Sequence, residues 1–364
     1  MLTTLLLACT TGAGKGHPVG TVTALGTGDG ELDASAALWT YVVGNAEGLD
    51  DPRDLGFDPT GDLWIANRVD DHTFIILNPG TDSQIVDDRQ DGYAKHFMEE
   101  TSAFSFETAA GAEEFGPEFG SCGESENTYN GRYAPDDFMG PVLWSTDLTI
   151  FGEQNPHGLG AHLDMQHESP DCVGIAWEQA NVYWVFDGYH SAIVRYDFQA
   201  DHGIGNDDHS DGIVYQLSEP TVTRVDNAPG HMMIDPSTGI LYIADTGGGR
   251  VLWLDTASGS QGQDIRQVQE QIQTYAYWDN ASWGELITGL DRPGGLALDG
   301  QGHLMVGEYG TGVIHAYDLD GTEIQSLDTG WGEGAIYGIE AGPDGKLWVV
   351  DNAAPAVYRL DAGG

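Results

Sequence analysis

Three histidines, His96, His167 and His231, each stand where a turn hands over to a short apolar strand, and they are the side chains here best suited to hold a transition metal. Three neutral imidazoles facing one opening would suit Zn²⁺, Cu²⁺ or Fe²⁺ with positions left for a ligand. The plainer alternative is that each satisfies nearby backbone groups. Acids and amides recur at strand ends: Asn67, Asp187, Asp245, Glu308 and Asp351 offer oxygen ligands of the kind Ca²⁺ takes. An Asp in such a place also caps a glycine turn through its own side chain, which accounts for it without an ion. Glu99, Glu100, Asp171 and His190 stand near these positions as further ligands, and Arg53 and Tyr337 are the cation and the phenol available for catalysis. A separate cluster, Asp201, Asp207, Asp208 and Asp211, alternates with glycines and reads either as a peripheral calcium loop or as a solvated acidic loop. Its spacing is not that of an EF-hand, and no glutamate closes it. The chain has no phosphate-cradling glycine loop, no serine nucleophile elbow and no convincing Ser-His-Asp set.

The elements that position these residues follow from a phrase the chain repeats: a turn, an apolar strand, Asp-Gly or a relative, then a strand ending in an acid or amide. Clear copies are Pro229-Gly-His-Met-Met-Ile-Asp235 with Gly239-Ile-Leu-Tyr-Ile-Ala-Asp245, and Pro293-Gly-Gly-Leu-Ala-Leu-Asp299 with Gly302-His-Leu-Met-Val-Gly-Glu308. Period-two alternation bounded by Gly, Pro and Asp argues for antiparallel strands, and repeats of this length bury their apolar faces only against neighbours. Six units begin near residues 51, 96, 170, 228, 292 and 336. The second is disguised: Thr101–Phe106, Phe119–Cys122 and Pro141–Asp147 fit its first three strands, with a polar loop over Glu124–Gly140. The last unit stops after three strands, so a segment near Leu38–Val43 is expected to supply the fourth and close the ring. A helix-like stretch, Gln263–Gln273, falls in an insertion. The expected fold is all-β: a single six-bladed β-propeller of four-stranded antiparallel blades over residues 19–364, closed by an N-terminal strand. Strand A is innermost in such a ring. One face then gathers Arg53, His96, His167, Asp187, Tyr189, His190, His231, Glu308 and Tyr337, and the Asp201–Asp211 loop falls on the opposite face.

The phrase Pro-Gly-x-x-x-x-Asp followed by Gly-x-Leu-Tyr-Ile-Ala-Asp-x-Gly-x-Gly-Arg-Val resembles the NHL repeat, and residues from about 20 to 362 resemble a six-bladed NHL-type propeller. Fold of this kind carries scaffolds, binding modules and enzymes alike. Two enzyme families are comparable. Peptidylglycine amidating lyase binds zinc through three channel histidines and uses a Tyr and an Arg; that resemblance implies His96, His167 and His231 as ligands and Arg53 and Tyr337 as catalytic groups. Asn155-Pro-His157-Gly-Leu159 matches the lyase context superficially, but it falls at an expected D strand. Gluconolactonase-like and paraoxonase-like propellers hold Ca²⁺ or another divalent ion on acidic and amide channel residues, which implies the strand-B termini.

Composition narrows the partners. The formal net charge is −45 over 364 residues, which repels nucleic acid and anionic membranes. Such a surface either keeps the protein soluble, as in a salty habitat, or attracts cations. No apolar run is long enough to span a bilayer. Leu6-Leu7-Ala8-Cys9 resembles a bacterial lipobox with Cys9 as the lipidated residue, although a basic leading region is missing; the alternative is a chance apolar start. Residues 1–18 then read as a signal remnant and tether. Cys122 and Cys172 remain as a pair, a disulfide in an oxidising compartment or two buried thiols. The expected protein is an extracytoplasmic, lipid-anchored monomer of the cell envelope. It binds a divalent cation, zinc or calcium, and a small-molecule, glycan or protein ligand on its channel face. The alternatives are a metal-dependent lyase or hydrolase and a metal-free surface scaffold.

Overall fold

The computed structural model describes residues 21–108, 114–126, 138–206, 208–266 and 271–361. Six β-sheets stand around a central channel, each led by an inner strand: Pro52–Phe57, Thr101–Phe106, Cys172–Gln179, Met232–Asp235, Pro293–Leu298 and Ile336–Ala341. Neighbouring inner strands touch in cyclic order, with the sixth against the first, so the ring is closed. Within each blade strands A to D run antiparallel, in blade one as Pro52–Phe57, Leu63–Asn67, His72–Leu77 and Ile85–Arg89. The fold is the expected β-propeller.

The repeated Asp of the phrase is turn chemistry. Asp58 accepts from the backbone nitrogens of Thr60 and Asp62 and from Trp64 Nε1 at 3.0 Å, tying the A–B turn to the strand that follows. Asp299 does the same with Gln301 and His303. Each blade then buries its faces against the next. Trp64, Trp144, Trp184 and Trp348 are fully buried, each contributing roughly 4–6 kcal/mol of apolar burial before ordering entropy is subtracted. Inner strands approach too closely for side chains at one ring position: a Cβ on Gly174 would lie 2.2 Å from the Gly230 carbonyl oxygen.

Closure comes from the N-terminal side, as expected. Leu38–Gly44 pairs antiparallel with Ala356–Asp361 and is the outer strand of blade six. Before it, Gly30–Glu31 adds a short parallel strand to the edge of blade five, where the buried Gln325 amide donates to the Gly26 and Gly28 carbonyls.

Of the expected helix-like stretch Gln263–Gln273, the described residues are not helical. Ser260–Asp264 and Thr274–Asp279 are strands, paired with each other, and Thr274–Asp279 runs parallel to the outer strand Ile213–Leu217 of blade three. The stretch between them includes residues 267–270, outside the described residues. The strands on either side form at an exposed sheet edge, which offers a full row of backbone partners.

Candidate functional site

The inner-strand register defines one ring position in all six blades, occupied by Asp54, Ala103, Gly174, His231, Gly295 and Gly338. Four are small because neighbouring strands crowd there. Asp54 and His231 belong to blades one and four, on opposite sides of the ring, and they meet across it with His231 Nδ1 3.4 Å from Asp54 Oδ1. Asp54 is buried and also accepts from the backbone nitrogens of Leu55 at 2.8 Å and Phe104 at 2.9 Å. Gly338 makes room for it: a Cβ there would lie 2.6 Å from Asp54 Oδ1. His231 is 5% exposed, and its Nε2 has no hydrogen-bond partner among the described residues.

A cavity of about 880 Å³, counting its open mouth, reaches this pair. Its wall includes Glu340 from blade six with Phe57, Phe104, Trp177, Met233 and Ile339. Burial, then the Asp54 charge beside it, pushes the Glu340 carboxyl up to about 8. Burial also raises Asp54, against the pull of His231 and two backbone amides. At neutral pH the end of the cavity therefore carries a protonated Glu340 next to the Asp54–His231 pair.

The cavity's lining continues past the ends of the A strands, to Thr108 and Pro236. That is the face opposite the one expected to hold the site. At the expected mouth, Arg53 Nη1 donates to Tyr337 Oη at 2.8 Å, and Tyr337 in turn donates to the Asn227 carbonyl. The two residues are brought together as their positions suggested. Arg53, 3% exposed, is also bonded to Asp51 at 3.0 Å. Glu124 gathers Arg68 at 3.3 Å and Arg224 at 2.8 Å, and Arg224 reaches Asp171 at 3.4 Å. Burial first, then nearby Glu126 and Glu124, push Asp171 up to about 6 against the pull of Arg224. Among the described residues a void of about 170 Å³ lies within this network.

The three histidines do not converge. His96, in the short helix Ala94–Phe97, and His167 lie with ring centroids 6.1 Å apart, and Phe138 stacks on both. His231 stands apart on Asp54, and the three offer no common set of ligand atoms. Their similar places in sequence concealed a difference of depth: His231 immediately precedes its inner strand and continues its register, whereas the other two stand five residues or so ahead of theirs. The proposed outer ligands mostly serve their own turns. Asp187 accepts from the His190 backbone at 2.8 Å and from its Nδ1 at 2.7 Å. Glu308 accepts from Thr311 Oγ1 at 2.5 Å and from the Asp291 backbone. Glu99 accepts from Ser125, and Glu100 is exposed with its backbone nitrogen on Asp71.

Cys122 and Cys172 form a disulfide that joins strand B of blade two to strand A of blade three. His157 lies in an exposed turn ahead of the outer strand Asp164–Met165. The Asp201–Asp211 loop is not opposite the histidines. It folds back along blade two, with Gly205 donating to the His162 carbonyl at 2.7 Å, and brings His209 within 5.8 Å of the His167 ring. Asp208 is exposed and caps Ser210, and only Asp211 joins a cluster of ligand atoms; Asp207 and Cys9 lie outside the described residues.

Sequence reading missed Asp54, Glu340, Glu124 and Arg224. A signal for the first two was present: aligned on register, Asp54 replaces a small residue, and Glu340 stands where other blades carry Gly56, Ser105, Ala176, Met233 and Ala297. No comparable signal marks Glu124 or Arg224, which sit in irregular loops.

No protein-family model matches the chain, and no curated protein matches it in sequence. Solved structures do match in fold. A protein of unknown function from Bacteroides thetaiotaomicron superposes with a TM-score of 0.53 at 11% identity, over 91% of this chain and 74% of that one. Virginiamycin B lyase from Staphylococcus aureus gives 0.51 at 13% identity over 89% and 98%, and a luciferin-regenerating enzyme gives 0.51 at 12% over 89% and 95%. At these identities the likeness is one of fold.

Proposed function

We propose that this protein is a binding propeller whose channel cavity takes a small molecule bearing a positive charge. The observation that carries this is the Asp54–His231 pair with Glu340 at the end of an aromatic-walled cavity. A cation entering there replaces the proton on Glu340, compensates Asp54 and meets aromatic faces that favour positive charge. His231 Nε2 supplies a hydrogen-bonding position. The cation preference thus rests on carboxylates, in place of a three-histidine centre. The test is a thermal-shift series on chelator-treated protein with primary amines and quaternary ammonium ions. A ligand at 100 times its Kd should stabilise by about 2.7 kcal/mol, and Asp54→Asn with Glu340→Gln should abolish the shift. A series in which no ion shifts the wild type, or in which the double variant responds equally, would defeat the proposal.

A second reading rests on the same residues. An imidazole held by a carboxylate beside a protonated carboxyl is acid–base equipment, so the alternative is a lyase or hydrolase that works through Asp54, His231 and Glu340. Conversion of a bound ligand that His231→Ala stops while binding persists would favour the enzyme; recovery of the ligand intact favours the binding module.

The NHL-type repeat rests on the sequence phrase. The disulfide supports folding in an oxidising compartment; the envelope location, the Cys9 anchor and the monomeric state complete the proposal. The mass of the N-terminal peptide tests the anchor: an unmodified Cys9 in protein made by its own cell would remove it. A glycan or protein partner would be sought at the open mouth near Trp177 and Met233.

A further inference from the structure

The loop between strands C and D of blade three brings His202, His209 and Asp211 against Asp164 on the outer strand of blade two. His209 Nδ1 lies 2.5 Å from Asp164 Oδ1, and His202 Nε2 lies 2.9 Å from Asp211 Oδ1. One ligand atom from each of Asp164, His202 and Asp211 lies within 4.8 Å of the others, and among the described residues no other three His, Cys, Asp or Glu side chains meet this way.

Two further observations point to something bound there. Asp164 is 1% exposed, yet its second oxygen, Oδ2, is buried without a hydrogen-bond partner among the described residues. Gln166, two residues further on, is wholly buried, and neither its Oε1 nor its Nε2 has a partner among the described residues. Its amide reaches the residue after Asp211: a Cβ on Gly212 would lie 2.3 Å from Gln166 Oε1. Buried polar atoms left unpaired are costly, and two such side chains flank one cluster of ligand atoms.

We propose that Asp164, His202 and Asp211 hold a divalent transition-metal ion of the zinc class, fastening blade two to the long loop of blade three. An imidazole with two carboxylates suits Zn²⁺, which takes four N and O ligands, with water in the fourth place. Ca²⁺ asks for six to eight oxygens, which this set does not provide. The site is separate from the channel, and its existence does not depend on what the channel binds.

The test is titration of chelator-stripped, untagged full-length protein with Zn²⁺, followed by calorimetry and thermal melting. Co²⁺ serves as a second probe through its ligand-field absorption. Asp164 is buried, so the partly exposed His202 and Asp211 are the positions to change. The expected result is one Zn²⁺ per chain, a raised Tm, and little response to Ca²⁺. His202→Ala and Asp211→Asn should each weaken Zn²⁺ binding by at least the upper end of the about 10–100-fold that losing an outer-shell partner costs. His157→Ala, a change at an exposed histidine elsewhere, should leave it unaltered. Zn²⁺ binding that survives in the His202→Ala/Asp211→Asn double variant, or no binding by the wild type, would overturn the proposal. So would Ca²⁺ binding at the same site with equal affinity.

Discussion

Asp54 and His231 occupy the same register position in opposite blades, and the four small residues that complete that ring leave them space to meet. Glu340, partly buried in the cavity wall, then sits near a carboxylate, and burial and that charge hold its proton up to about 8. A carboxyl whose folded value lies above its unfolded value binds more protons in the folded state. Its contribution to stability is full below about pH 4.5 and is lost as pH rises through about 8. Wild-type stability should therefore fall between these limits with a contribution from Glu340 of about 1.4 kcal/mol per pH unit, and Glu340→Gln should flatten that slope. Denaturant melts from pH 5 to pH 9 check it; equal slopes in both proteins would mean that Glu340 is ionised. At this scale the sequence was half legible. Arg53, His231 and Tyr337 stand out as breaks in the repeat, and all three stand on or directly before inner strands. Asp54 was passed over beside Arg53, and Glu340 beside glycines, because burial inside a ring depends on register that adjacent residues in a line do not reveal. The strand-end acids were over-read, since side-chain capping of turns already employs Asp187, Asp245 and Glu308.

Strands were more legible than side chains, because alternation and turn residues are local. The disguised second blade has strand A at Thr101–Phe106, as its sequence implied, and the ring closes on Leu38–Gly44. What escaped was structure set by a distant edge: Thr274–Asp279 is a strand because blade three presents an open side to it. Two expectations belong to elements. The Cys122–Cys172 bridge spans 50 residues, so replacing both with Ala should cost about 2–4 kcal/mol in chemical denaturation; a loss under 1 kcal/mol would mean that the two blades are held without it. Leu360, fully buried, faces the closing strand at Trp39. Leu360→Ala should cost about 2–5 kcal/mol and make the Leu38–Gly44 segment cleavable by protease at temperatures where the wild type resists.

At the scale of the molecule, a ring of six blades and a net charge of −45 act together. Charges of one sign spread over a closed surface repel, and salt screens them within about 3 Å at 1 M. Tm should rise steadily as NaCl is raised from about 0.02 M to about 1 M; a flat response would mean that bound cations already neutralise the surface. Within that field the described part of the expected mouth is filled by Arg53, Tyr337, Arg68, Arg224 and their acids, and the cavity's lining continues to the other face. The central claim is that this cavity binds positive charge at Asp54 and Glu340. It is tested most directly by calorimetric titration, at pH 7 in two buffers of different ionisation enthalpy, of the small amine giving the largest thermal shift. The wild type should show saturable binding with release of close to one proton, and the Asp54→Asn/Glu340→Gln double variant neither. Absence of binding, or binding without proton release that persists in the double variant, would contradict it.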